Sequence, residues 1–84
     1  MFLRVTAVAY LEDYQLQVSF NNGVTKLVDL QDELYGEVFE PLRDLALFRQ
    51  ATVNPDTNTI EWPNGADFAP EFLLQTGVER KQAA

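Results

Sequence analysis

The sequence predicts an α+β fold, namely a three-stranded antiparallel meander plus a second short hairpin, with two short helices packed on one face. Residues 14–20 alternate between apolar and polar side chains, which is typical of a strand with one buried face. Asn22-Gly23 follows directly and is a strong hairpin signal, because a type I′ turn needs positive φ at both central residues. Residues 5–11 and 24–30 are rich in β-forming side chains, so we expect them to pair with residues 14–20 on either side.

Two later stretches predict short helices. Residues 45–50 contain good helix formers, and Asp44 stands where an N-cap is expected. Residues 68–75 predict the second helix, with Asp67 as its N-cap and Gly77 as the residue that ends it.

A second hairpin is predicted between these helices. Residues 51–53 and 59–62 have the composition of short strands, and the residues that separate them are dense in turn formers. We therefore expect residues 1–77 to form a single α+β domain and residues 78–84 to be a flexible C-terminal tail.

Composition narrows the range of functions. The chain has 84 residues, a net charge of −7, no cysteine and no histidine. The usual catalytic triads and a cysteine or histidine zinc site are therefore excluded, and we expect no enzyme activity, no metal and no cofactor. The six basic residues form no run, so we expect no direct nucleic-acid binding by this chain alone. No apolar stretch has the length of a signal or a membrane span, which predicts a cytoplasmic protein without membrane contact.

The order of several short motifs resembles a bacterial family known as domain of unknown function 2442. The most distinctive is Trp62-Pro63-Asn64-Gly65-Ala66-Asp67, and weaker matches lie at residues 20–23, 28–30 and 38–44 and at Phe48. The resemblance implies an antiparallel α+β domain of a bacterial protein without assigned activity. It also implies a partner encoded by an adjacent gene, since some members lie beside another short protein in an arrangement similar to toxin–antitoxin pairs. No catalytic residue is carried over.

An acidic stretch between Lys26 and Arg43 is the first candidate site, because it holds no basic residue. Its carboxylates predict the docking of a protein partner, possibly a basic one. A solvated loop without function is the alternative, and a calcium site is disfavoured because the spacing fits no calcium-loop pattern. The predicted partner-binding residues are Asp29, Asp32, Glu33, Glu37 and Glu40.

The motif at residues 62–67 is the second candidate site. An exposed Trp62 with Asn64 and Asp67 beside it suits a small-molecule-sensing domain. The structural alternative places Trp62 in the core, Asn64 in a turn and Asp67 at a helix N-terminus.

The remaining polar groups suggest an interaction surface rather than catalysis. Asp29 and Asp67 form a conceivable carboxylate pair, but no pattern in the sequence brings them together. The polar side chains of Gln15, Gln17 and Ser19 share one strand face, which is compatible with pairing across a homodimer. We therefore predict a non-catalytic protein-interaction module, antitoxin-like or regulatory, that is a monomer or a homodimer, with small-molecule sensing as the alternative.

Overall fold

The computed structural model describes residues 2–79 and confirms the predicted α+β architecture. A four-stranded antiparallel sheet of order β1-β2-β3-β6 lies beside a two-stranded sheet of β4 and β5. The strands are β1 (Val5–Tyr10), β2 (Gln15–Phe20), β3 (Thr25–Asp29), β4 (Thr52–Asn54), β5 (Thr59–Glu61) and β6 (Val78–Glu79). The helices are α1 (Leu45–Phe48), α2 (Pro70–Thr76) and two 3-10 helices, Gln31–Glu33 and Glu40–Arg43.

The hairpin between β2 and β3 forms as predicted, but its turn is not of type I′. Gly23 has a φ of 85°, whereas Asn22 is not among the described residues with positive φ. The Gly23 amide donates to the Phe20 carbonyl at 3.2 Å, and the Phe20 amide donates to the Val24 carbonyl at 2.9 Å. This is the three-residue loop in which glycine alone takes the left-handed conformation.

The prediction of a flexible tail is wrong at its first two residues. Val78 pairs with Leu27, and Glu79 pairs with Lys26, so the chain adds β6 to the edge of the meander. Residues 80–84 lie outside the described part of the chain. The pairing follows from α2, which packs on β3 and ends beside it, so that the backbone reaches an open sheet edge.

Only one of the two predicted N-caps is present. The Asp44 carboxylate accepts a hydrogen bond from the Ala46 amide at 3.0 Å, as predicted. The predicted cap at Asp67 is wrong, since α2 starts two residues later than expected, after Ala69, with no side-chain cap. Asp67 instead forms an isolated β-bridge with Glu61.

The core lies between the helices and one face of the four-stranded sheet. Alternate residues of β2 are fully buried there, as the period-two pattern predicts. Trp62, Phe48 and Phe68 continue the core as a chain of aromatic rings whose centroids lie 5.7 Å and 5.9 Å apart. Leu73 anchors α2 and is fully buried.

The opposite face of the sheet, which we call the outer face, carries residues that are exposed or half-buried. Its middle row crosses all four strands, because Ala9 pairs with Gln17, Gln17 with Leu27 and Leu27 with Val78. The apolar members of this row are not among the side chains packed on the core. The outer face consists of Ala7, Ala9, Gln15, Gln17, Ser19, Thr25, Leu27, Asp29 and Val78.

Among the described residues, no helix has the length and the apolar character that crossing a bilayer requires.

Candidate functional site

The predicted partner-binding residues lie in one surface segment, residues 29–40, which we call the acidic segment. It starts at the end of β3, passes through the first 3-10 helix and ends where the second one begins. Asp29, Asp32, Glu37 and Glu40 are exposed, and Glu33 is half-buried. The fold therefore presents all five carboxylates in a single stretch between two structured elements.

The acidic segment is fixed to the body of the domain at several points. Leu30 and Leu34 are buried in the core, one before and one after the first 3-10 helix. The Arg43 guanidinium donates from Nε to the Leu34 carbonyl at 2.7 Å. The side-chain amide nitrogen of Asn64 donates to the Val38 carbonyl at 2.9 Å. Each contact ties a different part of the segment, so its conformation is largely set before any partner arrives.

Two apolar side chains project from the acidic segment into solvent. Tyr35 is 64% exposed and Val38 is 48% exposed. The sequence analysis missed both side chains, because it selected residues of this segment by their charge alone. Leu34 is buried and Tyr35 directly after it is exposed, a difference that no local pattern in the sequence displays. Gly36, with a φ of 88°, then redirects the chain.

The carboxylates of the acidic segment differ in their local roles. Asp29 accepts a hydrogen bond from the Gln31 amide at 3.0 Å, so its side chain shapes the turn that follows β3. Within the described residues, the side chains of Asp32, Glu33, Glu37 and Glu40 make no hydrogen bond or ion pair. These four carboxylates are available to an external group in a way that Asp29 is not.

Trp62, the central residue of the second candidate site, belongs to the core. It is 2% exposed, and its indole N–H donates to the Phe48 carbonyl at 2.8 Å. The ring packs against Phe48 and, edge to face, against Phe68. The exposed tryptophan rim on which the sensing interpretation depended is therefore absent.

Asn64 and Asp67 do not converge on a common ligand position. Asn64 accepts a hydrogen bond from the Ala66 amide at 3.1 Å, and its amide nitrogen is occupied by the Val38 carbonyl. The Gly65 amide closes the turn onto the Trp62 carbonyl at 2.9 Å. Asp67 is exposed and lies beyond this turn. The geometry assigns structural roles to Trp62 and Asn64, as the alternative interpretation predicted.

A shallow depression of about 440 Å³ has Trp62 in its wall. Its polar lining comes from Arg49, Gln50, Thr52 and Glu61. The Arg49 guanidinium lies 5.6 Å from the centre of the Tyr10 ring, a cation–π distance. Asn64 and Asp67 do not line this depression, so it differs from the predicted ligand site.

The described residues show no group arranged for metal chemistry. Within residues 2–79, no three acidic, histidine or cysteine side chains are grouped in a way that could hold a metal ion. The conceivable carboxylate pair is divided between different elements, since Asp29 ends β3 and Asp67 pairs with Glu61, the last residue of β5.

Comparison with known proteins places the chain in a family. Searches of curated proteins and of solved structures find no significant match. The family model described as "Protein of unknown function (DUF2442)" matches residues 5–79, which include every strand and helix of the structure. The chain belongs to the DUF2442 family of proteins of unknown function.

Proposed function

We propose that this chain is a non-catalytic protein-interaction module that binds a basic partner protein through the acidic segment. The role would be regulatory or antitoxin-like, in a bacterial cytoplasm, with the product of an adjacent gene as the partner. One observation carries the proposal: Tyr35 and Val38 project from a fixed segment in which every carboxylate except that of Asp29 has no partner among the described residues.

Charge and aromatic surface contribute differently to such a complex. Carboxylates at the rim attract a basic surface and raise the association rate, an effect that falls with ionic strength. Tyrosine is among the residues most often found at energetic hot spots of interfaces, because its ring is large and has few rotatable bonds. In this arrangement Tyr35 supplies the central contact, and Asp32, Glu33 and Glu37 orient the partner around it.

The attachment of the segment favours binding. A loop that orders only on binding loses conformational entropy at that moment, which lowers the affinity. Here the buried side chains of Leu30 and Leu34 and the hydrogen bonds from Arg43 and Asn64 hold the backbone in advance. Most of that entropy is therefore lost during folding rather than during association.

The direct test is calorimetric titration of the chain with the purified product of the adjacent gene. The triple variant Asp32→Lys, Glu33→Lys and Glu37→Lys should weaken binding at least tenfold, mainly through a slower association rate. Tyr35→Ala should raise the dissociation rate, with a loss of about 1–2 kcal/mol, the range of a moderate interface hot spot. Higher salt should weaken the wild-type complex and leave that of the triple variant nearly unchanged.

A matched control separates the location of the charges from their sum. Glu12→Lys, Asp56→Lys and Glu71→Lys change the net charge by the same amount at exposed positions outside the acidic segment. Binding by this control variant should stay within a few-fold of wild type. Equal weakening by the two triple variants, or no binding by wild type at micromolar concentration, would refute the proposal. An antitoxin-like role further requires that co-expression relieve growth inhibition by the partner.

Small-molecule sensing is the second candidate function, and the depression beside Trp62 is the observation that favours it. Arg49 and Thr52 supply hydrogen-bond donors there and Glu61 supplies an acceptor, which suits a small metabolite with both an anionic group and a donor. Trp62 is the single tryptophan of the chain and lies in the wall of this depression, so a ligand bound there should change its fluorescence. A saturable fluorescence change with a metabolite, lost in Arg49→Ala, would support sensing, whereas no change across a panel of anionic metabolites would exclude this class.

A further inference from the structure

We infer that Asn22 is a site of spontaneous chemical modification, at which the folded chain loses the side-chain amide and gains an isoaspartyl residue. The sequence contains two Asn-Gly pairs, Asn22-Gly23 and Asn64-Gly65. Asparagine before glycine favours this chemistry, because glycine has no side chain to shield its backbone nitrogen. The contacts of the two asparagine side chains decide which pair reacts in the folded chain.

The reaction needs only hydroxide and water. Hydroxide removes the proton of the Gly23 backbone N–H, and that nitrogen attacks Cγ of the Asn22 side chain. A bond from the Gly23 nitrogen to Cγ forms, the bond from Cγ to the side-chain nitrogen breaks, and the side-chain nitrogen takes a proton from water and leaves as ammonia. Water then opens the resulting cyclic imide at either carbonyl carbon, which gives aspartate or isoaspartate. The net change converts an amide and water into a carboxylate and ammonium.

The two Asn-Gly pairs lie in turns with the same backbone hydrogen bonds. The Phe20 amide donates to the Val24 carbonyl in the turn between β2 and β3, and the Trp62 amide donates to the Ala66 carbonyl in the turn after β5, each at 2.9 Å. Because the two turns close in the same way, the second is an internal reference for the reactivity of the first.

The conformations of the reacting residues also match. Gly23 has a φ of 85° and Gly65 has a φ of 88°. The side-chain oxygen of each asparagine accepts a hydrogen bond from the amide two residues later, at 3.0 Å for Asn22 and 3.1 Å for Asn64. Both asparagines are exposed, so water and hydroxide reach both. Neither backbone angle nor access therefore separates the two sites.

The contact of the side-chain amide nitrogen does separate them. The Asn64 nitrogen donates to the Val38 carbonyl at 2.9 Å, which ties it to the acidic segment. Within residues 2–79, the Asn22 nitrogen has no hydrogen-bond partner. This nitrogen is the leaving group, and it must move as Cγ turns toward the glycine. The movement is free at Asn22 and opposed at Asn64.

The attacking nitrogen is also held less closely in the first turn. The Gly23 amide donates to the Phe20 carbonyl at 3.2 Å, whereas the Gly65 amide donates to the Trp62 carbonyl at 2.9 Å. A hydrogen-bonded N–H must leave its acceptor before hydroxide can remove the proton. The longer bond of Gly23 opens more readily, which favours the same site as the leaving group does.

The expected difference in rate follows from the extra hydrogen bond. Asn22 reacts after breaking its bond to the Val24 amide, whereas Asn64 must break the equivalent bond and also leave the Val38 carbonyl. The net strength of an ordinary hydrogen bond slows a step that breaks it by roughly two- to tenfold. Asn22 should therefore form isoaspartate roughly two- to tenfold faster than Asn64 in the folded chain.

The modification changes the hairpin and leaves the acidic segment intact. Asn22 lies beyond the pair of Ser19 and Thr25, whereas Asp29 lies at the other end of β3. Isoaspartate adds a carbon atom to the main chain of a tight turn and one negative charge to the surface. The hairpin between β2 and β3 should therefore lose stability, while binding through the acidic segment does not depend on the reaction.

Incubation of the purified wild-type chain at mildly alkaline pH tests the inference. Peptide mass spectrometry at intervals measures the loss of amide at Asn22 and Asn64, and an isoaspartyl methyltransferase with labelled S-adenosylmethionine quantifies the isoaspartate. The same incubation in urea above the unfolding transition gives both rates without folded contacts. The folded chain should react roughly two- to tenfold faster at Asn22, and the unfolded chain should react at nearly equal rates at both sites.

Matched variants assign the signal to one residue. Asn22→Ser should abolish the faster reaction of the folded chain, whereas Asn64→Ser should leave the rate at Asn22 unchanged. If circular dichroism shows either variant unfolded, the comparison of folded and unfolded wild type decides alone. Equal rates at the two sites of the folded chain, or a faster reaction at Asn64, would overturn the inference. So would an intact Asn22 after an incubation that converts it fully in urea. The partner titration uses freshly purified chain, so neither result depends on the other.

Discussion

Replacement of Gly77 by alanine should lower the free energy of unfolding, whereas a glycine-to-alanine change in an ordinary backbone conformation usually raises it. Gly77 follows α2 with a φ of −72° and a ψ of 159°, a conformation that any residue adopts without strain. Alanine there would ordinarily stabilise the fold by about 0.4–1 kcal/mol, because it reduces the freedom of the unfolded chain. The atoms around Gly77 prevent this stabilisation, because an added Cβ would lie 2.7 Å from the Lys26 Cβ and 3.0 Å from both the Leu73 carbonyl oxygen and Val28 Cγ2.

The size of the penalty follows from what those neighbours are. Carbon atoms in contact prefer about 3.5–4.0 Å, so the new methyl group is roughly an ångström too close to Lys26. The Lys26 Cβ is attached to β3 and the Leu73 oxygen belongs to α2, so relief requires the helix end to move away from the sheet. Overpacking of this kind costs about 1–3 kcal/mol. After the entropic gain is subtracted, Gly77→Ala should destabilise the domain by about 1–2 kcal/mol.

Urea denaturation followed by Trp62 fluorescence measures this change, and thermal melting should fall by about 4–8 °C for each kcal/mol lost. Gly23 serves as the matched control, because it has a φ of 85° and no atom within 4 Å of an added Cβ. Asparagine should be tolerated better than alanine at Gly23, since it adopts the left-handed conformation more readily. At Gly77 asparagine should be worse than alanine, since it is larger. A Gly77→Ala variant as stable as wild type would refute the close-contact argument.

Four further substitutions test the assigned side-chain roles. Trp62→Phe leaves the buried Phe48 carbonyl without its donor and should cost about 1–3 kcal/mol, measured by circular dichroism because the fluorophore is lost. Asn64→Ala should cost about 1–2 kcal/mol, because two backbone groups lose their partner, and should speed proteolysis within the acidic segment; an unchanged cleavage rate would contradict the tether. Asp44→Ala should lower the free energy of unfolding by about 0.5–2 kcal/mol, whereas Asp67→Ala should change it by less than about 0.5 kcal/mol. Equal losses in the two variants would show that Asp67 does cap α2.

Local patterns in the sequence predicted the elements of the fold well. The alternation in β2 gave its buried face correctly, because side chains in a strand point to opposite sides with a period of two. Asn22-Gly23 gave the hairpin, and Asp44 gave a helix start, since both depend on backbone and side-chain chemistry within a few residues. The turn type and the Asp67 cap were wrong because a single local motif is compatible with several backbone conformations.

The candidate sites depended on contacts that the sequence does not display. Composition identified the carboxylates of residues 29–40, but the exposure of Tyr35 follows from the burial of its neighbour Leu34 against the rest of the core. The sequence left both a surface and a core position open for Trp62, and the structure places it in the core, where its indole N–H donates to the Phe48 carbonyl.

What the sequence determined by itself is therefore the set of elements and the net charge, since each depends on residues that are near one another in the chain. The tertiary structure alone decided that Val78 and Glu79 extend the sheet, because that pairing joins residues about fifty positions apart. The tertiary structure also explains why residue 77 is a glycine: a side chain there would collide with Lys26, whereas the backbone angles suit any residue. Contacts of this kind arise only when separate elements meet, and no local pattern encodes them.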